Sequence, residues 1–540
     1  MADPKPTART HGSSLADFVP LSVAEQKLIA CARSGEGCEL DPKRPEKPTE
    51  ANTIHAGLIR FLALGGDDDN PVHEAGVQLW GAWINEELDL TAAIATRRLN
   101  IKHTRFVEPI LAHNTHLPAL YLDGCNIPGL RADGFRIIGG VHLRNGFKAT
   151  GEVCLSGGQI GDNLDCSGGS FENANGDALS ADGAKIAGSV FLTDGFTAKG
   201  SVRLVGAQIG GYLYCDDGSF ENAGGYALNA DRATVTGGFF FRRVTNIKGF
   251  VDLTAAHVGS FVDDSASWHE NTLILDGFAY DRIAGGPTDA ATRIAWLNKQ
   301  HPRFLNEDFR PQPWEQLVKV LREMGHRRDA NEVAIAKQHA LRAAKKIGTR
   351  KPKTDFSDRW WMPVKARRWF DVRWNDLSND FAKGAYYAYG WLAGFGYRPT
   401  RIILWMLGFW LVSALAFSTA ADNGLMAPTN PVLHAHEAGA NVDVTACGAN
   451  GDVQPSRYWV RCAGMPAEYT TFSPLGYAAD MILPLVNLQQ DTEWGPVVSN
   501  AKGPLCWGVV TRWLGWFDIL FGWLASLMFV AIVSRLVEKD

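Results

Sequence analysis

The chain lacks the short motifs that usually announce a cofactor or a catalytic centre. No CxxC pair occurs among its nine cysteines, which removes the common zinc and thioredoxin-like redox signatures. HExxH, GxSxG and the P-loop pattern are absent, as are a glycine-rich dinucleotide fingerprint between a strand and a helix, CxxCH and ferredoxin-like cysteine spacing. No cofactor is therefore expected. A strong positive charge is also missing: the formal net charge is −5, so affinity resting on phosphate neutralisation is excluded and nucleic acid is not an expected partner. The first 20 residues, MADPKPTARTHGSSLADFVP, have no continuous apolar run. No secretory signal is expected, and residues 1–20 read as a disordered cytoplasmic N-terminus in a compartment that keeps thiols reduced.

What is abundant is glycine, 56 residues in 540, concentrated between residues 124 and 250, where many tight turns would use it. The same region repeats itself. FENANGDALSADGAKIAG begins at Phe171 and FENAGGYALNADRATVTG at Phe220, a separation of 49 residues that points to architecture before chemistry. Apolar residues come in pairs two apart, among them Val141/Leu143, Val153/Leu155, Leu164/Cys166, Leu179/Ala181, Val190/Leu192, Leu213/Cys215 and Phe239/Phe241, and such spacing puts both members on one face of a short strand. The pairs recur too evenly for helices or helical crossovers. Two strands per coil of about 22 to 27 residues give a β-solenoid of roughly eight coils over residues 75–285. The two longer steps contain NANGD and NAGGY, which are expected to project as loops on one side. Asp123, Asp133, Asp182, Asp231 and Asp276 follow pairs directly. They are expected to accept bonds from the turning backbone, in preference to forming a metal- or sugar-binding ladder of acids. Cys166 and Cys215 are expected to be stacked core thiols.

The solenoid is flanked by helical patterns. Residues 21–70 hold two of them, an expected N-terminal cap over unpaired strand edges. Residues 286–348 hold more, including Trp314, Leu317, Leu321, Gly325, Ala330 and Ala334, a spacing similar to one tetratricopeptide-type hairpin with a capping role. Residues 349–400 form a basic juxtamembrane region. Two long apolar stretches follow, 402–421 and 513–534, each sufficient to cross a bilayer. Eleven Lys or Arg against three Asp in 342–373, and three basic against eight acidic residues in 422–505, place the solenoid, both termini and the 535–540 tail in the cytoplasm. Lys345, Lys346, Lys351, Lys353, Arg367 and Arg368 would then meet anionic lipid. Residues 422–512 would lie outside, where Cys447 and Cys462 are a candidate disulfide with Cys506 leaving the pairing open. His434, His436 and Glu437 have ligand-like spacing but no further ligand, so no metal site is expected. Residues 473–489, SPLGYAADMILPLVNLQ, are apolar but too short to span, and read as a re-entrant or surface-lying helix broken at Pro484. Asp480 and Pro484, with Asp518 in the second span, are the residues a membrane function would use.

The unit GSVRLVGAQIGGYLYC from Gly200, the QPWEQLVKVLREMGH block, GYRPTR before the first span and YAADMILPLVNLQ together resemble bacterial β-solenoid membrane proteins, some of them similar to pentapeptide-repeat proteins. That resemblance implies the name membrane-associated oxidoreductase, for which the residues show no motif. The chain thus reads as mainly β: a right-handed β-solenoid with helical caps, then two transmembrane helices and an external loop domain. The expected role is a non-enzymatic scaffold at the inner face of the bacterial cytoplasmic membrane, with a protein partner or a second copy bound at loops carrying Asn173, Asn175, Asp177, Asn222 and Tyr226 beside Arg242 and Arg243. The alternatives are a membrane-associated oxidoreductase, and an oligomeric two-span channel or permeabilising effector dependent on Asp518.

Overall fold

Every apolar pair named above turns inward, from Val141 and Leu143 to Phe239 and Phe241, and successive pairs stack in register. In one row Val77, Leu99, Leu120, Val141, Leu164, Val190, Leu213, Phe239 and Phe261 align one above the next in parallel. The result is a β-solenoid of about nine turns. These details come from a computed structural model that describes residues 12–344, 380–429, 459–461, 469–500, 503–504 and 506–537. The chain divides into two units, Met1–Lys346 and Ile347–Asp540.

A turn holds four short strands, not the two expected. Leu120–Tyr121, Asn126–Ile127, Leu130–Arg131 and Arg136–Ile137 precede Val141, which pairs back onto Leu120. The extra strands escaped the pairwise pattern because each buries a single residue, Ile127 or Ile137, beside an exposed or half-exposed polar one. Turn length explains the 49-residue repeat. Leu164 to Val190 is 26 residues, Val190 to Leu213 is 23, and the extra residues fall inside the long strands Ser170–Ser180 and Ser219–Asn229, where the register slips.

Each slip is folded against a glycine one turn on. Gly200 (φ +126°) and Gly249 (φ +119°) lie so close that a Cβ would come within 2.4 Å of the carbonyl oxygens of Asn173 and Asn222 respectively. Only glycine meets both demands, a left-handed φ and no side chain. Inside the stack Phe147, Phe171, Phe196 and Phe220 form a ladder with centroids 5.2 to 5.6 Å apart. Aromatic contacts at that spacing add to the burial of the rings themselves. Cys166 and Cys215 share this interior but do not touch as a stacked pair: they stand two turns apart in a row where Leu192 occupies the turn between. Burial pushes both thiols well above their ordinary pKa, and pushes Cys125 up to about 12.

Both open ends are covered. At the N-terminal end lie α1 (Val23–Ser34) and α2 (Ala56–Leu64), with Cys38–Glu39 paired on Leu79–Trp80. Ser22 and Glu25 close a capping box on α1, satisfying donors a helix start leaves unpaired. Residues 12–20 are not the disordered tail expected, because Phe18 of the single turn Leu15–Phe18 anchors it against Phe61 at 5.6 Å. At the other end come α3 (Ala290–Asn298), α4 (Pro302–Leu305), α5 (Gln312–Glu323) and α6 (Arg327–Ala343). The Gln312 amide accepts from Gly277 N and donates to Phe278 O, and Gln316 donates to Tyr280 O. Helix α5 thereby satisfies backbone groups of the last turn, which supports the capping expectation. Trp314, Leu317, Leu321, Ala330 and Ala334 are all buried in the α5–α6 hairpin.

The second unit contains α7 (Pro399–Asp422), α8 (Pro474–Ile482) and α9 (Cys506–Val537). Two stretches, Thr400–Asp422 and Cys506–Ser534, are long and apolar enough to cross a membrane. The second begins at Cys506 and not at 513, because Arg512 does not interrupt the helix; its guanidinium donates to Pro496 O. Antiparallel strands Met426–Pro428 and Trp494–Pro496 tie the end of α7 to the segment before α9. Lys345, Lys346, Lys351, Lys353, Arg367, Arg368, Cys447, Cys462, His434, His436 and Glu437 lie outside the described residues.

Candidate functional site

The surface charges of the solenoid are largely consumed by one another. Asp123 and Asp165 flank Arg144 at 3.2 and 2.8 Å, Lys148 and Lys199 flank Glu172 at 3.4 and 3.6 Å, and Lys248 meets Glu221 at 3.0 Å. These partners sit one turn apart, so ladders of opposite charge run along the stack. Four of the five aspartates therefore do something other than close their own turns. Asp182 holds Arg203 and accepts from Val205 N of the next turn, Asp133 meets His113 at 3.0 Å, and Asp276 meets Arg310 at 3.2 Å. The local bond falls to residues two positions earlier, as where Asp165 accepts from Ser167 N and Asp252 from Thr254 N. The stacking axis brings a basic residue of the neighbouring turn opposite Asp123, Asp133 and Asp182, which a linear sequence does not display, whereas Asp231 pairs with the adjacent Arg232 at 2.8 Å.

The loops chosen as a binding face are braced in the same way. The amides of Asn173 and Asn222 each donate at 2.9 Å to the carbonyl four residues on, Asp177 O and Tyr226 O. Asp177 faces Arg203 at 3.5 Å, and the Tyr226 ring lies 6.2 Å from Phe250. Asn175 lies within the Ser170–Ser180 strand. Arg242 is bound to Asp216 at 2.6 Å and Arg243 to Asp217 at 2.9 Å. The two arginines are thus neutralised across adjacent turns and do not form a free basic patch.

A different face stays open. A groove of about 850 Å³ runs along the stack from Ile94 and Ala95 to Thr234 and Thr236. One wall is the in-register row His116, Arg136, Gln159, Lys185, Gln208 and Thr234. Next to it run the strands of Ile137, Ile160, Ile186 and Ile209, whose side chains are buried in the core, and the far side is formed by Ile138, Gly161, Ala187 and Gly210. Small residues are required there: a Cβ on Gly161 would sit 2.0 Å from Ile138 O, and one on Gly210 2.3 Å from Ala187 O. These glycines belong to the repeated Ile-Gly step, so the repeat motif builds the trough. Six rungs at about 4.8 Å give a length of about 24 Å. No carboxylate lines it, and among the described residues Arg136 and Lys185 make no ion pair. Ile138 is 82% exposed and Ile94 71%, so the trough combines open apolar surface with uncompensated positive charge.

In the second unit Asp518 is fully buried. Ser413 of α7 donates to its Oδ1 at 3.0 Å, while Oδ2 has no hydrogen-bond partner among the described residues. It joins the two long helices and does not reach an outer surface. Asp480 accepts backbone bonds from Leu488, Gln490 and Asp491 at 2.7, 2.8 and 3.1 Å; Pro484 lies in the turn those bonds close. Among the described residues no group of three or more His, Cys, Asp or Glu is placed to hold a metal ion.

No family model, no curated protein and no solved structure matches the chain. Of the resemblance drawn from the repeat motif, the structure supports the parallel β-solenoid.

Proposed function

We propose that this protein is a membrane-anchored, non-enzymatic scaffold whose solenoid groove holds an extended segment of a partner protein rich in acidic and aliphatic residues. The observation that carries this reading is the continuity of the groove over six in-register rungs, with aliphatic surface exposed at Ile94 and Ile138 and a border that includes Arg136 and Lys185, on a solenoid many of whose other charges are paired. Rigid stacked turns commonly serve as long binding faces, and an acidic strand-like ligand would meet both the charge and the shape. The two long apolar helices support anchoring to a membrane. We place that membrane as the bacterial inner membrane, with the solenoid and both termini cytoplasmic and the basic stretch before α7 beside anionic lipid, on the charge asymmetry about the first span.

The test is fluorescence anisotropy of full-length protein in lipid nanodiscs with three labelled peptides of equal length: acidic-aliphatic, basic-aliphatic and acidic-polar. Preference for the first, lost in an Arg136→Glu/Lys185→Glu variant and retained in Arg243→Glu, is the expected result. Equal binding of all three, or none, overturns it. An absorbance spectrum and mass spectrometry of small molecules released from the same sample give a second check. A stoichiometric flavin, haem or nicotinamide would replace the scaffold reading with an oxidoreductase.

A further inference from the structure

Helix α8 lies between the two long helices. Trp410 Nε1 of α7 donates to Leu475 O at 2.9 Å, and the rings of Phe417 and Tyr477 meet edge-on at 4.7 Å. On α9 two glycines mark how far this segment travels. A Cβ on Gly508 would stand 1.7 Å from Val497 O, and one on Gly522 would stand 2.0 Å from Ile482 O. Backbone therefore rests directly on α9 at both places. The fourteen helical steps from Gly508 to Gly522 correspond to about 21 Å, a large part of a hydrocarbon core about 30 Å thick.

The chain reverses just beyond Ile482. In that turn Leu485 is 91% exposed, and Leu483, Val486 and Leu488 are also exposed; no charged residue occurs from Met481 to Gln490. The return limb is not a regular helix, yet the backbone N–H groups of Leu488, Gln489, Gln490 and Asp491 all find acceptors within the segment. The buried Asp480 carboxylate takes three backbone N–H groups, and the buried Gln490 amide accepts from Ser473 N at 2.9 Å and donates to Thr471 O at 3.1 Å. A loop in water has no need of this, whereas irregular backbone at membrane depth is tolerated only when protein groups replace water.

We infer that residues 474–490 form a re-entrant hairpin that dips beside both spans, its tip at Leu485 and Val486 contacting lipid hydrocarbon. Helix α9 likewise exposes apolar side chains at Leu520 and Leu524. Asp480 and Gln490 are the residues that let the hairpin turn inside the bilayer. The inference rests on reading α7 and α9 as membrane spans.

The experiment places an environment-sensitive fluorescent amino acid, one site at a time, at Leu485, at Leu520 and at the solenoid-surface residue Lys248 of the full-length protein. The protein is reconstituted in phosphatidylcholine and phosphatidylglycerol vesicles, and emission is read with acyl-chain-brominated lipid and with aqueous iodide. The expected result is that positions 485 and 520 lose most of their emission to brominated lipid and little to iodide, with position 248 the reverse. Iodide quenching at 485 with bromine quenching at 520 makes the segment a surface loop and overturns the hairpin alone. Quenching of 485 by neither agent, with 520 bromine-quenched, means a protein surface covers the tip and overturns the lipid contact. Loss of bromine quenching at both 485 and 520 overturns the spanning reading itself.

Discussion

Asp263 and Arg293 form a clasp whose disruption has a calculable cost. The guanidinium bonds both carboxylate oxygens at 2.9 and 2.7 Å, Trp268 Nε1 donates to the same carboxylate at 2.9 Å, and Arg293 Nε donates to Pro287 O. Both side chains are almost completely buried, 1% and 2% exposed, and the guanidinium also lies over the rings of Phe261 and Trp296. The pair fastens α3 onto the last turns of the solenoid. Arg293→Met leaves a buried carboxylate held by one indole, and Asp263→Leu leaves a buried cation. Removing one partner of such a pair costs about 3–5 kcal/mol, whereas replacing both by apolar groups costs much less. At about 1.4 kcal/mol per tenfold, the singles should raise hydrogen exchange in residues 257–263 and 290–298 by about 100-fold or more, as local opening becomes easier. The double variant Asp263→Leu/Arg293→Met should exchange more slowly than either single. Mass-spectrometric hydrogen exchange on the full-length protein in detergent reads this directly. Changes below about threefold in the singles, or a double as unprotected as the sum of both, would refute the reasoning.

Three further outcomes are expected. Gly249→Ala should lower the thermal midpoint by more than Gly206→Ala, because both have positive φ but only Gly249 also faces carbonyl oxygens within 2.7 Å; equal shifts in a melting curve would remove the close-approach argument. Phe196→Ala takes a fully buried ring from between Phe171 and Phe220 and should cost about 3–5 kcal/mol, read by denaturant unfolding of the solenoid signal. The N-terminal cap should be best protected in a window near pH 5–6. His55 Nδ1 lies 2.5 Å from the buried Glu25, and that hydrogen bond raises the histidine pKa, so its contribution is full below about pH 6.5 and lost as pH rises through the folded value. Burial pushes the Glu25 carboxyl up, but bonds from His55 and Ser22 outweigh it and leave the pKa lowered, so that contribution is lost only as pH falls below the ordinary carboxylate range. Exchange of α1 and α2 measured from pH 4 to 8 would show no such maximum if the pair were idle, and His55→Ala should flatten the alkaline side.

The repeating pairs made the solenoid legible because burial in a strand has a period of two, and Val141/Leu143 or Leu213/Cys215 display it without help from partners far away. The caps were legible for a similar reason: Trp314, Leu317 and Leu321 keep helical spacing, and the spans at 402–421 and 513–534 reveal themselves by length and lack of charge. Strands that bury one residue each, such as Arg136–Ile137, carry no period and went unread. The phenylalanine ladder left a trace, since Phe147 and Phe196 stand just before a strand and Phe171 and Phe220 are the second residue of one, but only stacking makes it a ladder.

The composition and local periodicity of this chain determined its element types, its repeat length and the existence of two long apolar helices, because those properties depend on neighbours within a few residues. The tertiary structure decided which charges are spent and which are free. Arg242 and Arg243 look like a basic patch until the adjacent turn brings Asp216 and Asp217 against them, while Arg136 and Lys185, unremarkable in the sequence, make no ion pair among the described residues, along a groove whose successive rungs lie 20 to 26 residues apart. It also decided the role of Asp480, whose three backbone partners lie eight to eleven residues away. Electrostatic pairing and close backbone approach are properties of distance in space, and in a solenoid that distance is set by the stacking of turns more than 20 residues apart in the chain.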